Sequence, residues 1–187
     1  SEYLKDVFIV VSMFFQILST ANFADEQTFV LSFFEYIEEL VSFEKEAMKP
    51  IETEVSQALG CLKNQEDKTI KNMFVYLSNI CRTAPKPIVL MIDEVDSASN
   101  NQVFIDFLAQ LRGYYLDREK RPIFHSVIFA GVYDIKNLKL KLRPDEEHQY
   151  NSPWNIAADF DIDMSLSKKQ IVAMLDEYES DHQTGMD

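Results

Sequence analysis

Glycine is scarce in this chain, with four in 187 residues, and proline is modest at six. That composition excludes collagen-like and low-complexity classes. Cysteine is nearly absent: Cys61 and Cys81 cannot make a disulfide scaffold. No C-x-x-C pair or histidine cluster marks a metal site, and a reducing cytoplasm is the expected home. Positive charge is short as well. Eighteen Lys and Arg face 31 Asp and Glu, for a net charge of −13. Phosphate binding needs clustered cations, so a broad nucleic-acid surface is not expected. The one basic run, residues 136–143 (KNLKLKLR), reads as a solvated amphipathic segment. No stretch of 18 apolar residues occurs, so no membrane span is expected. The opening SEYLKD has no basic n-region of a signal peptide, and Ser1 in place of Met reads as a processed or artificial boundary.

What is present is a globular pattern, with 47% apolar and 12% aromatic residues. The length suits one domain spanning 1–187. Residues 7–13 (VFIVVSM) are short, apolar and β-branched, which predicts a strand buried on both faces. Phe29, Phe33, Ile37, Leu40 and Val41 recur at helical spacing and predict a helix over 26–44, with Asp25 as its N-cap. Pro50 separates it from a weaker helix over 51–63. Ile70, Met73, Phe74, Leu77, Ile80 and Cys81 predict a third helix over 69–83. After Pro85-Lys86-Pro87, residues 88–92 predict a second strand. Phe104, Phe107, Leu108 and Leu111 predict a helix over 101–118, and residues 124–130 (FHSVIFA) a third strand ended by Gly131. Residues 156–164 (IAADFDIDM) alternate partly, like a fourth strand. Ser167 and Gln170 form a capping box for a last helix, whose stripe is Ile171, Met174, Leu175 and Tyr178. Alternating strands and helices predict an α/β fold, with a mostly parallel sheet flanked by helices on both faces.

The segment PIVLMIDEVDSASN, residues 87–100, carries the chemistry. It drives an apolar strand straight into Asp93 and Glu94. Ligands of parallel sheets bind beyond the carboxyl ends of the strands. Adjacent side chains at a strand end diverge, so the two acids can take separate roles. One carboxylate, Asp93, can hold Mg²⁺ through water. The other, Glu94, can orient or deprotonate an attacking water. The competing reading is a loop start that caps the next helix.

Four apolar residues followed by Asp-Glu resemble the Walker B segment of P-loop ATPases. Together with SVIFAGVYDIKNLK and SPWNIAADFDIDMSLSKKQIVAMLDEY, it makes residues 85–180 similar to the prokaryotic AAA-ATPase-like proteins of the AAA+ superfamily. Residues 7–44 match more loosely, as a core strand and its helix. The resemblance implies ATP and Mg²⁺ as ligands, Asp93 on Mg²⁺, Glu94 on the water, and hydrolysis that drives change in an assembly. It places Gly131, Val132, Tyr133 and Asp134 at the sensor position near the γ-phosphate, which makes Tyr133 and Asp134 candidate nucleotide contacts. None of the four is the Asn or Thr often found there. Arg112, Arg118 and Arg121, late in the helix after the acids, are candidate arginine fingers toward a neighbouring copy; surface charge at a helix end is the alternative.

A phosphate cradle of the form G-x-x-x-x-G-K-[ST] is missing: no glycine precedes Gly60, and no Gly-Lys-Ser or Gly-Lys-Thr occurs. The expectation is therefore an AAA+-like core lacking its P-loop strand, with Tyr3-Leu4-Lys5 closing the helix that follows that loop. Its family sheet order, 5-1-4-3-2, would leave a gap beside residues 124–130, to be closed by residues 156–164 or by another chain. Such a chain would not turn over ATP alone; protein partners or self-association are expected. The alternative is a non-catalytic interaction module on a degenerate ATPase fold. A nuclease is disfavoured, because Asp161 and Asp163 lack a nearby Glu-x-Lys. Trp154 and His125 read as packing residues, and nothing supports a ligand role for His148 or His182.

Overall fold

The computed structural model describes residues 6–98, 100–131 and 165–182. The chain separates into two compact units, Ser1–Ile156 and Ala157–Asp187. Within the first lie strand β1 (Ile9–Phe14), helix α1 (Glu26–Phe43), the single turn α2 (Lys45–Met48), helices α3 (Glu52–Asn64) and α4 (Ile70–Thr83), strand β2 (Ile88–Asp93), helix α5 (Gln102–Leu116) and strand β3 (Ser126–Phe129). The described part of the second unit is helix α6 (Lys168–His182).

The strands form a parallel sheet in the order β1-β2-β3. Ile9 pairs with Ile88 and Phe14 with Asp93, while Val89 pairs with Ser126 and Ile92 with Phe129. This order explains where the core sits. Parallel neighbours need crossover connections, and these are right-handed in nearly all proteins. Two successive crossovers that step in the same direction put their helices on the same face. The core is accordingly one cluster. Ile9, Val11, Met13, Ile88, Leu90 and Ile92 from one sheet face meet the apolar faces of α1, α3, α4 and α5.

Aromatic rings form its centre. Phe107 stands 5.6 Å from Phe29, 5.5 Å from Phe33 and 5.6 Å from Phe74, in tilted or edge-on arrangements. Such pairs add about 0.5–1.5 kcal/mol each beyond the area they bury. The other sheet face carries Ser12, Phe14, Met91 and Asp93, all exposed. The expectation that residues 7–13 form a strand buried on both faces is therefore corrected. β1 alternates between buried and exposed positions, and Val7 lies ahead of it in a helical turn, 55% exposed.

Capping fixes the helix starts. Asp25 accepts a hydrogen bond from Thr28 N at 2.8 Å, as read from sequence, and this bond holds its carboxyl below the usual range. Thr69 caps α4 through Asn72 N at 3.2 Å. Glu26 adds a tertiary cap: its Oε1 accepts from Ile70 N at 2.6 Å, which ties the first turn of α1 to that of α4. Phe14 N donates to the buried Tyr36 hydroxyl at 2.9 Å, anchoring the end of β1 to α1.

In α6 the capping box forms as read. Ser167 N donates to Gln170 Oε1 at 2.9 Å, and Gln170 N to Ser167 Oγ at 3.4 Å. Its stripe of Ile171, Met174, Leu175 and Tyr178 is exposed, and no residue of this helix is buried. The fourth expected strand, residues 156–164, lies outside the described residues.

Candidate functional site

β2 is the middle strand, so its carboxyl end is flanked by β1 on one side and β3 on the other. Asp93 is its last residue, opposite Phe14 of β1. Its carboxylate is exposed, and Oδ1 accepts from Glu94 N at 2.8 Å. Glu94 follows with φ of 54°, the one left-handed non-glycine residue among those described. A β-carbon in this region clashes with the backbone, at a cost of about 1–2 kcal/mol. The conformation persists because the surrounding loop is tied down.

Three ties are visible. Glu94 O accepts from Ser97 N at 3.1 Å and from Ser97 Oγ at 2.8 Å, closing a 3₁₀ turn over Val95–Ala98. Val95 N donates to Ala130 O at 3.2 Å, and Ala130 N to Ile92 O at 2.9 Å, so the loop is fastened to the end of β3. Val95 and Ala98 are buried, at 1% and 0% exposure, which anchors the turn in the core. Backbone strain held this firmly is typical of functional positions, where it pre-organises a side chain.

Gly131 completes the wall. A β-carbon there would lie 2.6 Å from Asp96 Oδ2 and 2.9 Å from Val95 Cγ2. The segment after β3 thus approaches the acidic loop more closely than any side chain allows. This contact joins the two motifs singled out from sequence, PIVLMIDEVDSASN and the run through Gly131. Tyr133 and Asp134 lie outside the described residues.

The structure brings Asp93, Glu94, Asp96 and Gly131 together and leaves the arginines elsewhere. Arg112 is half-buried late in α5, and Arg118 and Arg121 follow that helix. α5 leaves the acid end of the sheet and runs back toward the amino ends of the strands. At about 1.5 Å per residue, its 15 residues span about 22 Å. Arg121 pairs with Asp117 at 3.3 Å, and Arg118 lies 4.2 Å from the centre of the Tyr115 ring. None of the three is on the acid loop.

Sequence reasoning missed two features of this site. One is the left-handed backbone at Glu94, which no residue type announces, since Gly, Asn or Asp would be the usual occupant. The other is the Gly131–Asp96 approach; the only available signal was a glycine closing a strand in a chain with four. Among the described residues no three His, Cys, Asp or Glu side chains gather closely enough to hold a metal ion alone. A divalent cation at Asp93 would therefore have to draw most of its ligands from water. Among the described residues no helix is long and apolar enough to cross a membrane. Comparison of the chain with family models, curated proteins and solved structures finds no match.

Proposed function

We propose that this chain is the greater part of an ATPase core of AAA+ type, in which Asp93 supports a nucleotide-bound Mg²⁺ and Glu94 orients the attacking water. The observation that carries the reading is the acid pair at the carboxyl end of the middle strand. Ligands of parallel sheets bind at that end. The order β1-β2-β3 supports it too, because it reproduces a run of three neighbours, 2-3-4, within the expected 5-1-4-3-2 sheet.

In this reading Asp93 acts through the oxygen not held by Glu94 N, and it would help place a metal that neutralises phosphate charge. Glu94 needs a fixed position to activate a water, and the tied 3₁₀ turn supplies one. Gly131 keeps the loop after β3 close to the same place. Tyr133 and Asp134 are proposed nucleotide contacts by their position in the chain. Arg112, Arg118 and Arg121, remote from this chain's own acids, would act on the nucleotide of a neighbouring copy. ATP hydrolysis would then be shared across an assembly, in the cytoplasm.

A second reading rests on a specific observation: no Gly-Lys-Ser or Gly-Lys-Thr occurs in the 187 residues. Without a phosphate cradle the fold would serve as a protein-interaction module. The coding DNA ahead of Ser1 separates the two. The ATPase reading expects an in-frame apolar strand and a G-x-x-x-x-G-K-[ST] loop. Unrelated sequence there would remove it and leave the interaction module.

A further inference from the structure

Helix α6 is amphipathic, and its apolar face is open. Ile171, Met174, Leu175 and Tyr178 recur at i, i+3, i+4 and i+7, which places them on one face. They are 40%, 53%, 48% and 45% exposed, and no residue of the helix is buried. Isolated helices of about 15 residues are marginal in water, and helices in proteins owe most of their stability to packing of the apolar face. The Ser167–Gln170 capping box fixes the start of α6 but covers none of that face. The Tyr178 ring stacks on His182 at 4.2 Å, which extends the surface by one turn.

The charges indicate what would cover it. A helix favours acids in its first turn and cations in its last, because its dipole is positive at the amino end. α6 is charged the other way round. Lys168 and Lys169 open it, with no acid in the first turn. Asp176, Glu177, Glu179 and Asp181 crowd its second half, against one basic residue of the last turn, His182. The lysines gain nothing from their own helix, since the residues three and four positions on are Ile171, Val172 and Ala173, all uncharged. Neither lysine, nor Asp176, Glu177 or Asp181, makes an ion pair or a side-chain hydrogen bond among the described residues.

We propose that α6 pairs antiparallel with α6 of a second copy of this chain, about a two-fold axis beside Met174 and Leu175. That axis sets Ile171 against the partner's Tyr178, and Met174 against the partner's Leu175. It brings the partner's acidic last turns, with Glu177 and Asp181, beside Lys168 and Lys169. One helix supplies both the cationic end and the acidic end, so the surface that complements it is its own. The opposed dipoles of an antiparallel pair favour the same charge placement, because each end of α6 then lies beside the opposite end of its partner. A parallel pair would set lysines on lysines and acids on acids. Two-fold contacts of a patch with itself are the commonest in soluble oligomers.

The 15 residues of α6 span about 22 Å. A single pair of such helices buries less than about 1,200 Å², the low end of specific interfaces. The dimer is therefore weak, with a dissociation constant of about 100 µM. No residue of α6 belongs to the proposed ATPase site, so the pairing holds or fails apart from it.

Sedimentation equilibrium of the 187-residue chain, from about 10 µM to 1 mM, tests the pairing. A monomer–dimer equilibrium near the stated constant is expected. Leu175→Asp sets two carboxylates against the seam and should weaken the dimer at least about tenfold, with an unchanged melting temperature because Leu175 is exposed in the single chain. Lys168→Glu with Lys169→Glu suits the dipole of a lone helix, so helix content by circular dichroism should hold while the dimer weakens about tenfold. Mixing that variant with one carrying Glu177→Lys and Asp181→Lys should restore a heterodimer at about the wild-type constant. A monomer at about 1 mM overturns the proposal. A dimer that Leu175→Asp leaves intact overturns it too, since another surface would then hold the copies together. A lysine-reversed chain that dimerises as tightly as the wild type overturns the antiparallel arrangement.

Discussion

Gly131→Ala puts the junction between the two sequence motifs under direct load. The new methyl would lie 2.6 Å from Asp96 Oδ2 and 2.9 Å from Val95 Cγ2. Asp96 is half-buried, and its side chain can turn aside only by giving up its present contacts. Val95 cannot. It is 1% exposed, and its branched side chain has few rotamers inside a close-packed core. Relief must therefore come from the backbone of the acid loop, and overpacking of this kind costs about 1–3 kcal/mol. We expect the unfolding free energy to fall by that amount, read as a lower urea midpoint at unchanged m-value. Removing the carboxylate with Asp96→Ala in the same chain should recover less than half of the loss, because the Val95 contact remains. The single Asp96→Ala variant closes the cycle. A change within about 0.3 kcal/mol would falsify the claimed close approach, and full recovery by Asp96→Ala would show that Val95 yields freely.

Two further expectations concern the core and the thiols. Phe107→Ala empties the centre of the aromatic cluster, where the side chain is 0% exposed, and should destabilise by about 3–5 kcal/mol; Leu116→Ala, at a position 60% exposed, should stay within about 0.5 kcal/mol, and similar losses from both would contradict the packing described. Burial raises the Cys81 thiol to about 12 from an ordinary 9.0, so the folded chain keeps a proton that the unfolded chain releases. That contribution to stability is full below about pH 9 and is lost as pH rises toward 12, by about 1.4 kcal/mol per unit. Urea midpoints at pH 8 and 10 should show the fall in the wild type and its reduction in Cys81→Ala. A thiol reagent should label exposed Cys61 at once and half-buried Cys81 much more slowly, so equal native labelling rates would contradict the burial.

Much of the fold was legible in the sequence because its signals are local. The stripe of Phe29, Phe33 and Ile37 marks α1, Asp25 caps it, and the apolar run marks β2, which ends at Asp93, one residue beyond the expected Ile92. Boundaries slipped where tertiary structure sets them. β1 begins at Ile9 rather than Val7 because Ile9 N is the first to reach the next strand, at Pro87 O, 3.0 Å away. The expected covering of both sheet faces fails: α1, α3, α4 and α5 pack on one face, and Ser12, Phe14, Met91 and Asp93 on the other are exposed. Periodicity shows that a helix has an apolar side, yet the sense of the crossovers decides which sheet face receives it. For the site, the acids were readable as residue types at a strand end. The left-handed Glu94 and the Gly131 approach were not, since both arise from hydrogen bonds between segments about 35 residues apart in the chain, beyond any local pattern.

The central claim is that Glu94 activates a water on a nucleotide whose metal Asp93 supports. The most direct measurement is retention and turnover of radiolabelled ATP by the protein expressed from its whole reading frame, with and without Glu94→Gln. The account predicts that Glu94→Gln loses hydrolysis by about 100-fold or more while ATP stays bound. Hydrolysis at the wild-type rate in that variant would contradict it.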